Sequence, residues 1–389
     1  MMQDDMSFSN WLIDLRRHFH IEPEISSQEK RTTEKICSVL REIGVQHSCF
    51  NESFGALGLI KGGHDGPTIG LRADIDALPI QELNNVPYRS KNKNVMHACG
   101  HDAHTAIMLG VAKKLAQNEI RRTLRGNVKF IFQPAEERIN GAREVIRQGA
   151  LDHPNVDRVV AGHMDPTLDT GIVGVFKDYG YAAADGFSLV IKGKGGHGGR
   201  PHETIDPIVS GAHFVTAIQG IVARNINPIE PAVISIGKFH SGNAGNVIPE
   251  IACIEGTVRT HSNEIREQIL IRLQEIVHGL QTQYRVECTF DSVFETPACN
   301  CDREISQFMF QSAANVLGKD NIKWIPPTMG SEDFAFYAIE RPSAIIRLGC
   351  RNTSKNIVAP LHSPYFDIDE TVLEKGVNIF CQAVISYLS

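Results

Sequence analysis

The chain has 389 residues, of which 42% are hydrophobic and 22% charged, so it can fill two domains, or one large one with an insertion, without cross-links. Its formal charge of −6 leaves no basic footprint for nucleic acid. No run approaches the roughly 20 apolar residues of a membrane span, and the polar start Met1-Met2-Gln3-Asp4-Asp5 is no signal peptide, so a cytoplasmic protein with neither nucleic-acid nor membrane partners is expected. Nine cysteines without framework spacing are expected to stay reduced.

In chain order, Trp11, Leu12, Leu15 and Phe19 predict an amphipathic helix over 11–20, closed before Pro23. His18 and His20 at its end read as caps or packed partners. A second helix is predicted over 28–43, stopped at Gly44. Residues 56–60 and 68–73 read as strands about a hairpin-like segment, Gly62 to Pro67, and the second runs into Asp74-Ile75-Asp76. Alternation places both carboxylates on one side, where burial would be costly unless they are paired or bound to a cation.

Met96-His97-Ala98-Cys99-Gly100-His101-Asp102-Ala103-His104 concentrates three imidazoles, a thiol and a carboxylate within nine residues. These are ligand types for a transition metal. Cys99 and His101 can serve one ion or two adjacent ions only from a bent backbone, and Gly100 supplies the bend. The helix predicted over 105–117 places this cluster at a helix entrance. Strands over 127–133 and 158–162 then deliver Glu136-Glu137 and His163. Strands alternating with helices indicate an α/β layer with a mostly parallel sheet. Ligands gather at the carboxyl ends of such strands, and Asp74, Asp76, Glu136, Glu137 and His163 all fall there.

From 183 to 293 the order becomes β-α-β-β-α-β, that of a ferredoxin-like unit. It is predicted as an inserted second domain, with helices over 204–225 and 263–284, between 1–182 and 294–389. Its glycine-rich loops carry His197 and Asn246 and allow close backbone approach to a ligand. The first lacks the Gly-Lys-Ser/Thr ending of a phosphate loop. After the insertion come a helix over 304–317, an acidic loop over 328–334, a strand over 343–348, the loop holding His362, and a last helix over 370–388.

Cys99, His101, Glu137, His163 and His362 are too many for one tetrahedral zinc with an open position and suit two ions. Glu136 and Glu137 would face opposite ways on an extended backbone, so one binds and the other is left for general acid/base work. Spacing does not say which is which. Thiolate and imidazole favour zinc, with manganese, cobalt or nickel as alternatives.

These motifs resemble the metal-dependent N-acyl-amino-acid amidohydrolases, which include hippurate hydrolases, aminoacylases and auxin-conjugate hydrolases. The matching stretches include Arg72-Ala73-Asp74-Ile75-Asp76, Met96 to Thr105, Gln133-Pro134-Ala135-Glu136-Glu137, Gly195-Gly196-His197-Gly198, Asn246-Val247-Ile248-Pro249, Gly256-Thr257-Val258-Arg259 and Leu361-His362-Ser363-Pro364. The resemblance implies an α/β zinc-exopeptidase-like catalytic domain and an inserted lid or dimerisation domain. It also implies two divalent ions bridged by Cys99, one on His101 and His163, the other on Glu137 and His362. Glu136 becomes the acid/base, His197 the group that polarises the scissile carbonyl across a homodimer, Asn246 and Arg259 the holders of the substrate carboxylate, and Asp76 the residue that orients a ligand histidine. The chain departs from the family pattern at Met164-Asp165, Gly199 and His261. Rival readings are a dipeptidase or aminopeptidase-like enzyme of the same clan and a metal-dependent binding protein without turnover.

Overall fold

In the computed structural model, which describes residues 2–389 with side chains for 6–293 and 296–389, three runs of uninterrupted burial stand out. They are 68–74, 128–133 and 159–166, and none alternates between buried and exposed. Strands buried on both faces belong in the middle of a covered parallel sheet. They do so here, in an eight-stranded sheet ordered Gln46–Cys49, Ala56–Lys61, Arg125–Gln133, His64–Asp74, Arg158–Asp169, Ser343–Arg351, Val173–Phe176 and Ile322–Ile325. The four central strands are mutually parallel, and antiparallel pairs lie towards the edges.

The predicted hairpin does not form. Ala56–Lys61 and His64–Asp74 lie on opposite sides of Arg125–Gln133, the first antiparallel to it and the second parallel. The glycines between them serve a close backbone crossing instead: a Cβ on Gly62 would stand 2.4 Å from the Leu124 carbonyl oxygen. The strand expected to end at Gly162 continues to Asp169, because Ser343–Arg351 keeps pairing beside it through Met164 and Asp165. His163 therefore sits within a strand.

The helix His101–Leu115 is buried from His101 to Ala112 on every side, as expected of a central helix. It packs on Met2–Ile21 and Thr371–Tyr387. Small residues allow the close approach, since a Cβ on Gly110 would meet Leu12 at 2.6 Å and Val377 at 2.7 Å. His20 is buried with both ring nitrogens occupied, Nδ1 at 2.7 Å from Asp102 and Nε2 at 3.3 Å from Glu82. Arg16 donates to the same Asp102 oxygen at 2.8 Å.

The chain forms two compact units, Met1–Gly180 with Asn300–Pro327 and Asp333–Ser389, and Tyr181–Cys299 with Thr328–Glu332. The last short stretch falls outside the expected insertion. It is tied to the second unit by a Tyr181 to Thr328 bridge and by Ala182 N–H donating to Gly330 O at 2.9 Å. In the second unit a four-stranded antiparallel sheet, ordered Ala232–Ser241, Ile251–Thr260, Ala183–Lys192 and Glu287–Thr296, joins the helices Pro207–Asn225 and Asn263–Tyr284 in β-α-β-β-α-β order. The first helix begins at 207 and not 204, because Asp206 accepts from the backbone N–H groups of Ile208 and Val209 and Pro207 occupies the first turn. Ser262 caps the second, which spans the predicted 263–284. Phe187, Leu189, Ile191 and Ile254 meet Phe214, Ile218 and Leu273 between sheet and helices, each contributing roughly 1.5–3 kcal/mol by burial. No helix among the described residues is long and apolar enough to cross a membrane.

Candidate metal centre

Gly100 adopts φ +89° immediately before His101 opens its helix. This left-handed turn lets Cys99 and His101, two apart in sequence, face one place. Ligand atoms of Cys99, His101 and His163 lie within 4.8 Å of one another, and so do those of Cys99, Glu137 and His362. Cys99 belongs to both groups. His362, itself at φ +62°, is anchored by its N–H to the Ala98 carbonyl at 2.8 Å, beside Cys99.

Hydrogen bonds select which imidazole nitrogen faces inward. His101 Nδ1 donates to the Asp76 carbonyl at 2.9 Å and lies 3.2 Å from Asp76 Oδ1. His163 Nδ1 donates to Met164 O at 2.8 Å, which leaves Nε2 at 3.5 Å from Cys99 Sγ. A ring nitrogen fixed as donor leaves the other as a lone pair for a cation. His101 Nε2 and Glu137 Oε1 are buried without hydrogen-bond partners among the described residues, 3.9 Å apart. Glu137 Oε1 also stands 3.5 Å from His362 Nε2. Unmatched buried polar atoms are costly, and a donor set of one thiol, one carboxylate and three imidazoles fits two divalent cations.

A further triad, Asp74, His101 and His104, satisfies the same distance test, but Asp74 and His104 are already engaged. His104 accepts from Met164 N–H at Nε2, at 2.8 Å, and so donates from Nδ1 to Asp74 Oδ1 at 2.6 Å. Asp74 also receives Arg72. This triad is a brace behind His163, and the sequence reading of His104 as one more soft donor missed it.

Glu136 and Glu137 do not lie on extended backbone. They open a 3-10 turn after Ala135 at φ +54°, so both carboxylates converge, with ligand atoms within 4.8 Å of His101. Asp76 holds this turn and His101 together. Its Oδ2 accepts from Glu137 N–H at 3.1 Å and from the Ser26 hydroxyl at 2.7 Å. Burial disfavours the Asp76 carboxylate, yet the bonds from His101, Ser26 and Glu137 N–H hold its pKa below the usual value.

Burial pushes the Cys99 thiol up, and the Glu137 charge adds to it. Burial likewise lifts the Glu137 carboxyl to about 7, against the pull of His101 and with help from Asp76. Burial opposes charge on His101, but Asp74 and Cys99 raise its pKa well above the histidine norm. His163 goes the other way, lowered by burial and Arg347.

The second unit carries the other expected residues. His197 is exposed on a two-residue strand paired with Val247, and Gly198 N–H donates to the Asn246 carbonyl at 2.9 Å. Gly199 N–H donates to His197 Nδ1 at 2.9 Å, so the neutral ring keeps its proton on an outward Nε2. The Asn246 side chain is exposed. Arg259, half-buried on Ile251–Thr260, has a buried Nη1 without a hydrogen-bond partner among the described residues.

Residues 70–386 match the profile of peptidase family M20/M25/M40. The chain belongs to that family. It is 38% identical to the N-acetylcysteine deacetylase of Bacillus subtilis, over 99% of this chain and 98% of that one. It is also 35% identical to thermostable carboxypeptidase 2 of Saccharolobus solfataricus, over 97% and 95% of the two chains. Among solved structures, the Bacillus subtilis YxeP protein, described as a dinuclear metal-binding peptidase of family M20, superposes with TM-score 0.84 at 34% identity, covering 98% of this chain and 99% of that one.

For this M20/M25/M40 chain the proton inventory of the site has a measurable consequence. Cations bind the thiolate, the carboxylate and neutral imidazole, whereas in the metal-free protein Cys99, Glu137 and His101 all have raised pKa values. Metal binding should therefore release protons, and zinc affinity should climb as pH rises through about 7. Calorimetry in buffers of different ionisation enthalpy measures the release. A zinc affinity that is flat or falling across this range contradicts the ligand set.

Proposed function

We propose that this metal-dependent amidohydrolase cleaves the amide bond of N-acyl amino acids, releasing a carboxylic acid and a free amino acid. The observation that carries the reading is Cys99 shared by two ligand groups, with Glu136 beside them. Two divalent cations, zinc or manganese first, would be held by His101 and His163 on one side, by Glu137 and His362 on the other, and by Cys99 between. When bound they supply the positive charge that brings the pKa of water from 15.7 toward about 7 and offsets charge developing on the substrate oxygen.

The chain's own residues carry the proton and hold the substrate. Glu136 takes a proton from the attacking water and passes it to the departing amine nitrogen, acting as base and then acid. His197 donates its Nε2 proton as a hydrogen bond to the scissile carbonyl oxygen. Arg259 and Asn246 hold the amino-acid carboxylate. A guanidinium with an unmatched buried nitrogen suits a planar carboxylate, and its use favours substrates with a free α-carboxylate. Asp76 keeps His101 and Glu137 in register. The active form is proposed to be a homodimer.

The Bacillus subtilis relative supports N-acetyl amino acids as substrates. The carboxypeptidase relative supports a second reading, in which the acyl group is itself a peptide. N-acetyl-L-cysteine and other N-acetyl amino acids compared with dipeptides, on enzyme of measured metal content, separate the two. Faster cleavage of the acetyl compounds is expected. A preference for dipeptides moves the assignment to the second reading, and no cleavage of either class overturns both.

A further inference from the structure

The segment that carries Glu136 is held from behind by a carboxylate absent from the metal centre. Glu29, at the start of the helix Lys30–Glu42, is fully buried. Its Oε1 accepts from Ala135 N–H at 2.8 Å and from Ser27 N–H at 2.9 Å, while Oε2 is buried without a hydrogen-bond partner among the described residues. Ala135 adopts φ +54° and ψ 39°, a left-handed conformation uncommon for a residue with a Cβ. It stands immediately before Glu136. One residue beyond, Glu137 N–H is held by Asp76, and Asp76 is held by Ser26 from the same loop as Glu29. The two residues flanking Glu136 thus hang on two buried carboxylates, and the stretch 26–29 acts as a template for both.

We propose that Glu29 is a positioning residue for the reaction: by holding Ala135 in its left-handed turn, it aims the Glu136 carboxylate. This rests on Glu136 being the acid/base. Among the described residues the Glu29 carboxylate bonds only to main-chain N–H groups, so its requirement is for an acceptor oxygen at one place. Burial pushes its carboxyl up to about 7, with Asp76 adding to the effect. A neutral carboxyl or an amide still offers that acceptor.

The test uses the metal-loaded full-length enzyme with N-acetyl-L-cysteine, measuring kcat, KM and metal content for Glu29→Ala, Glu29→Gln and Glu136→Gln. Glu29→Ala should lower kcat about 10²-fold, the loss expected from a misplacement near 1 Å, with KM and metal content unchanged. Glu29→Gln should recover most of that loss through its amide oxygen. The proposal is overturned if Glu29→Ala turns over like the parent, if its loss follows a loss of metal, or if Glu29→Gln is impaired as much as alanine. Should Glu29→Ala not fold, Glu29→Asp, whose shorter side chain withdraws from Ala135, is read by the same criteria, and failure of both to fold assigns Glu29 a purely structural role. Parent-like turnover in Glu136→Gln removes the acid/base reading itself. An inactive Glu136→Gln beside an unimpaired Glu29→Ala removes only the positioning by Glu29.

Discussion

Replacing Glu136 by glutamine should lower kcat about 10²–10⁴-fold, the range for loss of a positioned proton carrier. The metal content should not change. Glutamine keeps the size of the side chain and leaves Glu137, Cys99 and the three imidazoles in place, so the variant removes a proton acceptor and little else. Substrate binding should survive, with KM within a few-fold of the parent, because the interaction lost belongs to the transition state. Metal analysis beside steady-state kinetics reads both halves. Undiminished turnover would mean that the proton travels through another group, and metal loss would mean that Glu136 is a ligand.

Arg72→Ala is expected to be the most damaging single change to stability. Arg72 is buried on the central strand, where it donates to Asp74, to Asp333 at 2.8 Å and to Gln133 at 2.9 Å. Without it, two fully buried carboxylates lose a guanidinium partner. Breaking a buried pair in this way costs about 3–5 kcal/mol. The damage also reaches the metal centre, since Asp74 fixes His104 and His104 holds the Met164 N–H next to His163. Denaturant unfolding should show the loss, and zinc affinity of the folded fraction should fall with it. Arg72→Lys should remain impaired, because one ammonium cannot reproduce the guanidinium fork. A variant as stable as the parent would show that Asp74 and Asp333 are neutral or find other partners.

Much of the site was legible because strand ends and ligand chemistry coincide in the sequence. Asp74, Asp76, Glu136 and Glu137 follow runs of β-forming residues, and Cys99-Gly100-His101 announces a bend between two soft donors. What stayed hidden depends on partners distant in the chain. The glycines from Gly62 to Gly66 look like a hairpin turn, and only the arrival of Arg125–Gln133 between the two strands shows that they do not form one. Spacing could not rank Glu136 against Glu137, because a turn set by Ala135 lets both converge. Glu29 and Arg72 gave no signal of their own: Glu29 is one charge in the polar run Ser26 to Glu34 and Arg72 a lone charge in an apolar strand, and the value of each comes from what folds onto it.

The proposed ligand side chains come from four segments, the first at Cys99 and the last at His362, so cations seated among them would tie together stretches of chain that are remote in sequence. A bound ion stabilises only the folded form, by about 4 kcal/mol when free metal is a thousandfold above its dissociation constant. Heat tolerance would then become a gauge of the trace-element supply, and an enzyme starved of its ions would grow fragile as well as idle.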